Sequence, residues 1–340
     1  MNTDLNGKTE LPMKEAWFAH RPWIDQPNPD IDGYCSAHRE PLFNLKQKLE
    51  EWFRAGVVIF QNAVDLTALD QFECDLKWAL QNPKALPITV DIAGTIRQIN
   101  EFTGSELAAM SRLKLHGLHA YSAAGQALCL TPTVATFLRH IFGDQPAAMS
   151  TLTFMRGSQQ MAHADFPFVF HQTCLPYLAA SWIPLEDVHP DSGPLAYYPG
   201  THRVDNFGFY DFGGGQIILQ NGNTVDVVEF GKWLYERIKE EAIPRKIFLP
   251  KRGDVLLWHA ALVHEGLPIC NMELTRKSLV THYTTVQHLP ENFIKRDKNA
   301  RPVILKEDIG VVFAYPWTNS NQRPPHQRLS WAKKFWMWRR

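Results

Sequence analysis

This 340-residue sequence predicts a mainly β fold with flanking helices (α+β), its β part an antiparallel sandwich or barrel of the jelly-roll kind. Two observations predict it. Up to about residue 143 apolar residues recur at helical spacing between clear start and stop signals. From Ser150 onward the texture changes to short β-type runs broken by Gly and Pro.

Residues 1–40 are rich in Pro, Asn and Asp without periodicity and predict an arm draped on the surface. Residues 41–340 then form one domain. Its first helix runs from about Pro41 to Ala55, because Leu42, Leu45, Leu49, Trp52 and Phe53 share a face; Gly56 stops it. Val57–Phe60 is an apolar, β-branched run and reads as a buried strand. Leu66, Leu69, Phe72 and Leu76 mark a second helix. In a third, Thr131 suits the N-cap, Pro132 the first turn and Gly143 the C-terminal cap.

Strands are expected at Thr151–Met155, Ala180–Pro184, Leu195–Tyr198, Gln216–Leu219, Val225–Phe230, Lys246–Leu249, Val255–Trp258, Ser278–Tyr283 and Val311–Ala314. Asn206–Asn223 and the helix-like Lys232–Glu241 predict an insertion near residues 206–245. The basic, aromatic tail Trp331–Arg340 is too short to anchor in a membrane and is expected to pack on the domain.

Lys plus Arg and Asp plus Glu number 35 each, so no net field draws in nucleic acid or an anionic membrane. A small-molecule partner is expected, and the oligomeric state is not defined by the sequence. Met1–Glu15 lacks the apolar run of a secretory signal, and no stretch reaches the roughly 18 apolar residues of a membrane span, so a cytoplasmic protein is expected. Cys35, Cys74, Cys129, Cys174 and Cys270 are scattered and read as reduced thiols. Eleven Trp and 20 Phe predict a thick aromatic core.

Two separated patches carry the chemistry: His163-Ala164-Asp165, and Gly253-Asp254 through His264 to Arg276-Lys277-Ser278. A His-x-Asp arises by chance about once in such a chain, and His189-Pro190-Asp191 is a second one. Context separates them. In extended chain residues i and i+2 face one way, so His163 and Asp165 can reach one metal, whereas Pro190 and Gly193 make the second pair a turn. A third ligand must come from His259 or His264; His264, beside Gly266 at a strand end, is the better exposed candidate. His259 then serves as a core or supporting residue. Arg276 and Ser278 share a strand face, and a buried Arg276 requires a carboxylate from either the protein or a ligand. Phe166, Phe168 and Phe170 alternate after the dyad and suit core or pocket wall, while His171, Gln172 and Arg203 offer polar recognition.

These residues resemble the phytanoyl-CoA dioxygenase (PhyH)-like family of Fe(II)/2-oxoglutarate oxygenases over roughly residues 43–285. The likeness runs from Leu45 and Gly56-Val-Val-Ile-Phe60 through His163-Ala-Asp165 to Trp182-Ile-Pro-Leu-Glu-Asp-Val-His-Pro-Asp-Ser-Gly-Pro-Leu-Ala-Tyr-Tyr-Pro-Gly-Thr-His-Arg203. It closes with Gly253-Asp-Val-Leu-Leu-Trp-His-Ala260, His264 and Thr275-Arg-Lys-Ser-Leu-Val-Thr-His-Tyr283. The resemblance implies a double-stranded β-helix (jelly roll, cupin-like) core, with His163, Asp165 and His264 on Fe(II) and Arg276 on the distal carboxylate of 2-oxoglutarate. Ser278 and Trp182 stand where the family places further co-substrate contacts. Some members carry a small polar residue just after the distal histidine; this chain has Glu265-Gly266.

The implied reaction consumes O2 and 2-oxoglutarate, releases succinate and CO2, and hydroxylates an unactivated C–H bond of a metabolite. Asp165, where related halogenases carry a small residue, argues for hydroxylation or another oxidation. A cupin-like isomerase or dioxygenase without 2-oxoglutarate would explain the ligands but not Arg276. A non-catalytic β-sandwich binding protein would make the three ligands coincidental.

Overall fold

The computed structural model describes residues 20–110, 112–169, 176–203, 207–209, 212, 226–289, 301–306 and 309–314. The expected strand at 216–219, the tail at 331–340, and Phe170, His171 and Gln172 lie outside them.

Six helices precede the main run of strands: α1 (Ile31–Ala37), α2 (Leu45–Ala55), α3 (Leu66–Gln81), α4 (Gly104–Ala109), α5 (Ala123–Cys129) and α6 (Pro132–Phe142). α2 begins at Leu45, not near Pro41, because the Asn44 side chain caps it by accepting from the Gln47 N–H. Its end at Gly56 is left-handed, with φ 70°. α6 keeps the boundaries its caps predict, with Thr131 accepting from Val134 N–H and Gly143 left-handed. The described part of the arm is tied down. Ile24 is fully buried, and the Trp23 indole donates to the His140 carbonyl at 2.8 Å.

The strands are β1 (Val57–Phe60), β2 (Thr89–Ile92), β3 (Thr95–Gln98), β4 (Leu113–His116), β5 (Pro146–Phe154), β6 (Ala179–Pro184), β7 (Leu195–Tyr197), β8 (Lys246–Phe248), β9 (Val255–His259), β10 (His264–Gly266), β11 (Ser278–Thr285), β12 (Arg301–Lys306) and β13 (Gly310–Ala314). Among the described residues the larger sheet has the order β1-β9-β6-β11-β5-β4-β2-β3, with β13 joining β5 in parallel and β12 pairing β13. The smaller sheet is β10-β7-β8. Neighbours far apart in the chain make this a double-stranded β-helix rather than a run of hairpins.

The two-residue period of the strands divides the larger sheet into two faces. On one, Ile183, Leu257, Leu279 and Tyr283 pack under Leu49, Trp52, Phe72 and Phe137 of the helices. On the other, Phe154, Trp182, Leu256, Trp258 and Val280 meet Leu195 and Phe248 of the smaller sheet. The functional residues emerge on this second, inner face.

Three differences from the sequence reading have physical causes. β2, β3 and β4 precede residue 150; they are short and mixed in polarity, β3 is exposed throughout, and pairing to the edge of β5 is what orders them. The strand expected at 225–230 is instead the start of α7 (Val227–Glu240). There Asp226 caps two N–H groups while Phe230, Leu234 and Ile238 recur at i, i+4 and i+8. The chain at 165–169 is a turn, closed by Asp165 carbonyl bonds to Phe168 and Val169 N–H, so Phe166 and Phe168 do not alternate on a strand. Phe166 is buried, whereas Phe168 is 38% exposed. No helix among the described residues is long and apolar enough to cross a membrane.

Gly56→Ala should destabilise the fold by about 2–4 kcal/mol in urea unfolding, since φ is positive and a Cβ would lie 2.5 Å from the His202 ring. His119 gives a pH signature. Burial pushes its imidazole down to about 4 from 6.5, and Nδ1 contacts the Thr151 hydroxyl at 2.7 Å. The unfolded chain therefore binds more protons between these values, so His119 lowers stability as pH falls from 6.5 to 4. His119→Gln should flatten that limb of a stability–pH profile by up to about 3 kcal/mol.

Candidate metal centre

Two reciprocal backbone bonds join the two patches. His163 N–H donates to the His264 carbonyl at 3.0 Å and His264 N–H to the His163 carbonyl at 2.9 Å. Asp165 N–H is held at 2.8 Å by the Ala260 carbonyl. His163, Asp165 and His264 are consequently buried together, with one ligand atom from each lying within 4.8 Å of the others.

The donor set is prepared for a metal. His163 Nδ1 faces the Met161 carbonyl at 2.8 Å and His264 Nδ1 faces the Leu262 carbonyl at 3.0 Å; each ring therefore donates through Nδ1 and leaves Nε2 free. Burial, reinforced by His264, pushes the His163 imidazole down to about 3, which keeps it neutral. Burial would raise the Asp165 carboxyl, but His264, His282, His163 and the Trp258 indole outweigh it and hold it below its usual range. Its Oδ1 lies 3.9 Å from His163 Nε2 and 3.5 Å from His264 Nε2. Ligands at right angles on one metal at ~2.1 Å stand about 3 Å apart, so small shifts would close the set. Two imidazoles and one carboxylate match the facial set of a non-haem iron.

A cavity of about 60 Å³ opens from this cluster, lined by Trp182, Arg276, Val280 and His282 as well as the three residues. Arg276 is 2% exposed; its guanidinium lies 5.2 Å from the Trp182 ring and 5.8 Å from Phe154. Its Nε has no hydrogen-bond partner, and it has no acidic partner among the described residues. Burial pushes it down to about 10, still charged at neutral pH. The Ser278 hydroxyl, buried at the start of β11 two residues further on, also lacks a partner. An anion in the cavity would satisfy the Arg276 guanidinium.

The other candidates lie elsewhere. His259 Nε2 faces Asp25 at 3.4 Å and its Nδ1 accepts from the Ala261 N–H, so it links the N-terminal segment to the sheet. His189 and Asp191 sit on an exposed turn. Arg203 stacks on the Phe53 ring at 4.5 Å.

Sequence spacing missed four neighbours. Trp258 Nε1 donates to Asp165 Oδ2 at 2.7 Å, and His282 Nε2 stands 3.8 Å from the same oxygen. Lys114, paired with Asp91 at 3.1 Å, lies over the Phe154 ring at 5.8 Å, so Phe154 contacts both Lys114 and Arg276. Glu265 accepts from Tyr198 at 2.7 Å and from Tyr235 of α7 at 2.5 Å. Period-two alternation could have flagged His282, two residues beyond Val280 and four beyond Ser278; Glu265 stands out only as a departure from the family pattern, and nothing local marks Trp258 or Lys114.

Known proteins resemble this chain in sequence and in fold. The model of the phytanoyl-CoA dioxygenase (PhyH) family matches residues 53–277, more than half of the chain. Phytanoyl-CoA dioxygenase domain-containing protein 1 of Danio rerio is 23% identical over 158 residues, 44% of this chain and 50% of its own. The chain thus spans half the length of that relative. Among solved structures, the non-heme alpha ketoglutarate dependent carbocyclase SnoK from nogalamycin biosynthesis superposes with a TM-score of 0.52 at 16% identity, covering 78% of this chain and 96% of that one. EctD from S. alaskensis, solved with 2-oxoglutarate and 5-hydroxyectoine, gives 0.51 at 17% identity, covering 79% and 83%. EctD has also been solved with bound Fe. At these identities the structural likeness shows a shared fold.

Glu265 latches α7 to the strand that carries His264. Burial, then the bond to Glu265, pushes the Tyr235 phenol up to about 12. Tyr235→Phe should cost about 1 kcal/mol, given its partial exposure, and should speed amide exchange in residues 227–240 more than in β11.

Proposed function

The chain belongs to the phytanoyl-CoA dioxygenase (PhyH) family, and from that premise we propose that it is an Fe(II)- and 2-oxoglutarate-dependent oxygenase that hydroxylates an unactivated C–H bond of a small metabolite. One observation carries the reading. A buried, charged Arg276 without an acidic partner among the described residues shares a cavity with a His–Asp–His cluster.

In this reading His163 and His264 bind the metal through Nε2 and Asp165 through its carboxylate. Iron held by these residues would supply, with O2 and 2-oxoglutarate, the oxidising chemistry, with succinate and CO2 as co-products. Arg276 holds the distal carboxylate of the co-substrate, its fork aimed by the Trp182 and Phe154 rings. Ser278 donates its hydroxyl to the same carboxylate, and Trp182 walls the cavity. The apolar lining from Leu152, Leu195 and Val280 excludes bulk water and strengthens these charge contacts. Phe168, half out of the surface and 6.4 Å ring to ring from His163, forms a wall where a substrate carbon would approach. Among the described residues, Cys35, Cys74, Cys129 and Cys270 are free thiols, which suits a reducing cytoplasm.

A cupin-like enzyme without 2-oxoglutarate is disfavoured because it leaves Arg276 buried without an anion. A pure binding protein leaves the prepared imidazoles unused. Anaerobic addition of Fe(II) and 2-oxoglutarate should produce the weak visible charge-transfer band of a chelated complex; its absence in wild type would refute the assignment. His163→Ala or Asp165→Ala should abolish the band. Arg276→Ala should weaken 2-oxoglutarate binding at least about 30-fold, because it removes one partner of a desolvated charge pair. A succinate-release screen over polar and apolar metabolites then identifies the substrate.

A further inference from the structure

Asp165 has two carboxylate oxygens, and the structure treats them differently. Oδ1 faces the Nε2 atoms of His163 and His264 at 3.9 and 3.5 Å. Oδ2 accepts from the Trp258 indole at 2.7 Å, a buried, charge-assisted bond. The same indole ring lies 5.1 Å, centroid to centroid, from His264. Trp258 therefore touches two of the three proposed ligands and reaches the cavity wall itself.

Its position is set by the sheet. His282, Ala180 and Trp258 are direct cross-strand partners on β11, β6 and β9, all on the inner face. Strands lie about 4.8 Å apart, so the large rings of His282 and Trp258 flank the methyl of Ala180 with roughly 10 Å between their backbones. That gap receives the Asp165 carboxylate from above. β9 is paired on both sides, by β1 and β6, which gives the indole little freedom to leave.

We propose that Trp258 is a positioning residue for the metal centre: by occupying Oδ2 it makes Asp165 a one-oxygen ligand and keeps the coordination position beside that carboxylate open for co-substrate. This rests on the metal-binding reading above. His282, 3.8 Å from Oδ2, closes the other side of that oxygen, and its Nδ1 is tethered to the Ser150 hydroxyl at 3.3 Å.

Trp258→Phe keeps a buried aromatic ring and deletes only the donor. Co(II), a redox-stable stand-in for Fe(II), supplies a readout that does not depend on turnover. Trp258→Phe should weaken Co(II) binding by about 10–100-fold and alter the visible ligand-field bands as the freed Oδ2 joins the metal. In an Asp165→Ala background the same change should cause no further loss. Equal Co(II) affinity and unchanged bands in Trp258→Phe would overturn the proposal. So would an equal loss in the Asp165→Ala background, which would assign the effect to packing. If wild type binds no Co(II), the metal reading itself falls. A measurement on the wild-type protein covers the case in which the variant does not fold. With Zn(II) bound, the indole N–H nearest the metal, identified by its shift on exchange to Co(II), should stay protected from solvent exchange. Fast exchange would overturn the proposal.

Discussion

The pair of backbone hydrogen bonds between His163 and His264 is the contact on which the rest of the site depends. It joins a loop entering from β5 to the first residue of β10, two stretches with no local reason to meet. Because each ring also bonds the carbonyl two residues before it, backbone geometry sets both the spacing of the imidazoles and which nitrogen each presents. Side-chain rotamers have little left to decide. Such a site is precise because its supports are main-chain atoms, which have less freedom than side chains.

Around that contact the inner face compensates two buried charges unequally. The Asp165 carboxylate is balanced by two imidazoles, an indole N–H and His282, so its burial is compensated on every side. Arg276 is not, and a guanidinium buried among Trp182, Phe154 and Val280 is tolerable only if an anion completes it. The fold therefore keeps an uncompensated positive charge in the same cavity as the imidazoles and the carboxylates of Asp165 and Glu265, each of which has partners of its own. This asymmetry fits a site that takes up a metal cation and an organic anion together. Glu265 plays a separate, structural part. It sits beside His264 but turns both oxygens to tyrosines, one of them on α7, and so ties the inserted helix to the metal-bearing strand.

Much of this was readable in the residues. α6 announced itself through Thr131, Pro132 and Gly143, because caps are local chemistry, β1 through a β-branched run, and β6 and β9 through short, mostly apolar runs buried on both faces. β2 to β4 were missed although Val90 and Ile92, and Leu113 and Leu115, alternate with polar residues, since each run is only four residues long and is ordered by pairing with its neighbours. The strand expected at 225–230 failed for a related reason: Val-Val-Glu-Phe satisfies either period until the Asp226 cap and the later Leu234 and Ile238 are weighed.

Residue order alone named His163, Asp165, His264 and Arg276, since ligand types, period-two spacing and family motifs are properties of short segments. The tertiary structure decided what surrounds them. That Arg276 has no acidic partner among the described residues, that His259 turns to Asp25, and that Trp258 binds Asp165 are relations between strands and loops distant in the chain. Cross-strand register places Trp258 and His282 on either side of Ala180, and no stretch of sequence encodes register by itself; it arises when the hydrophobic faces of the two sheets close on each other.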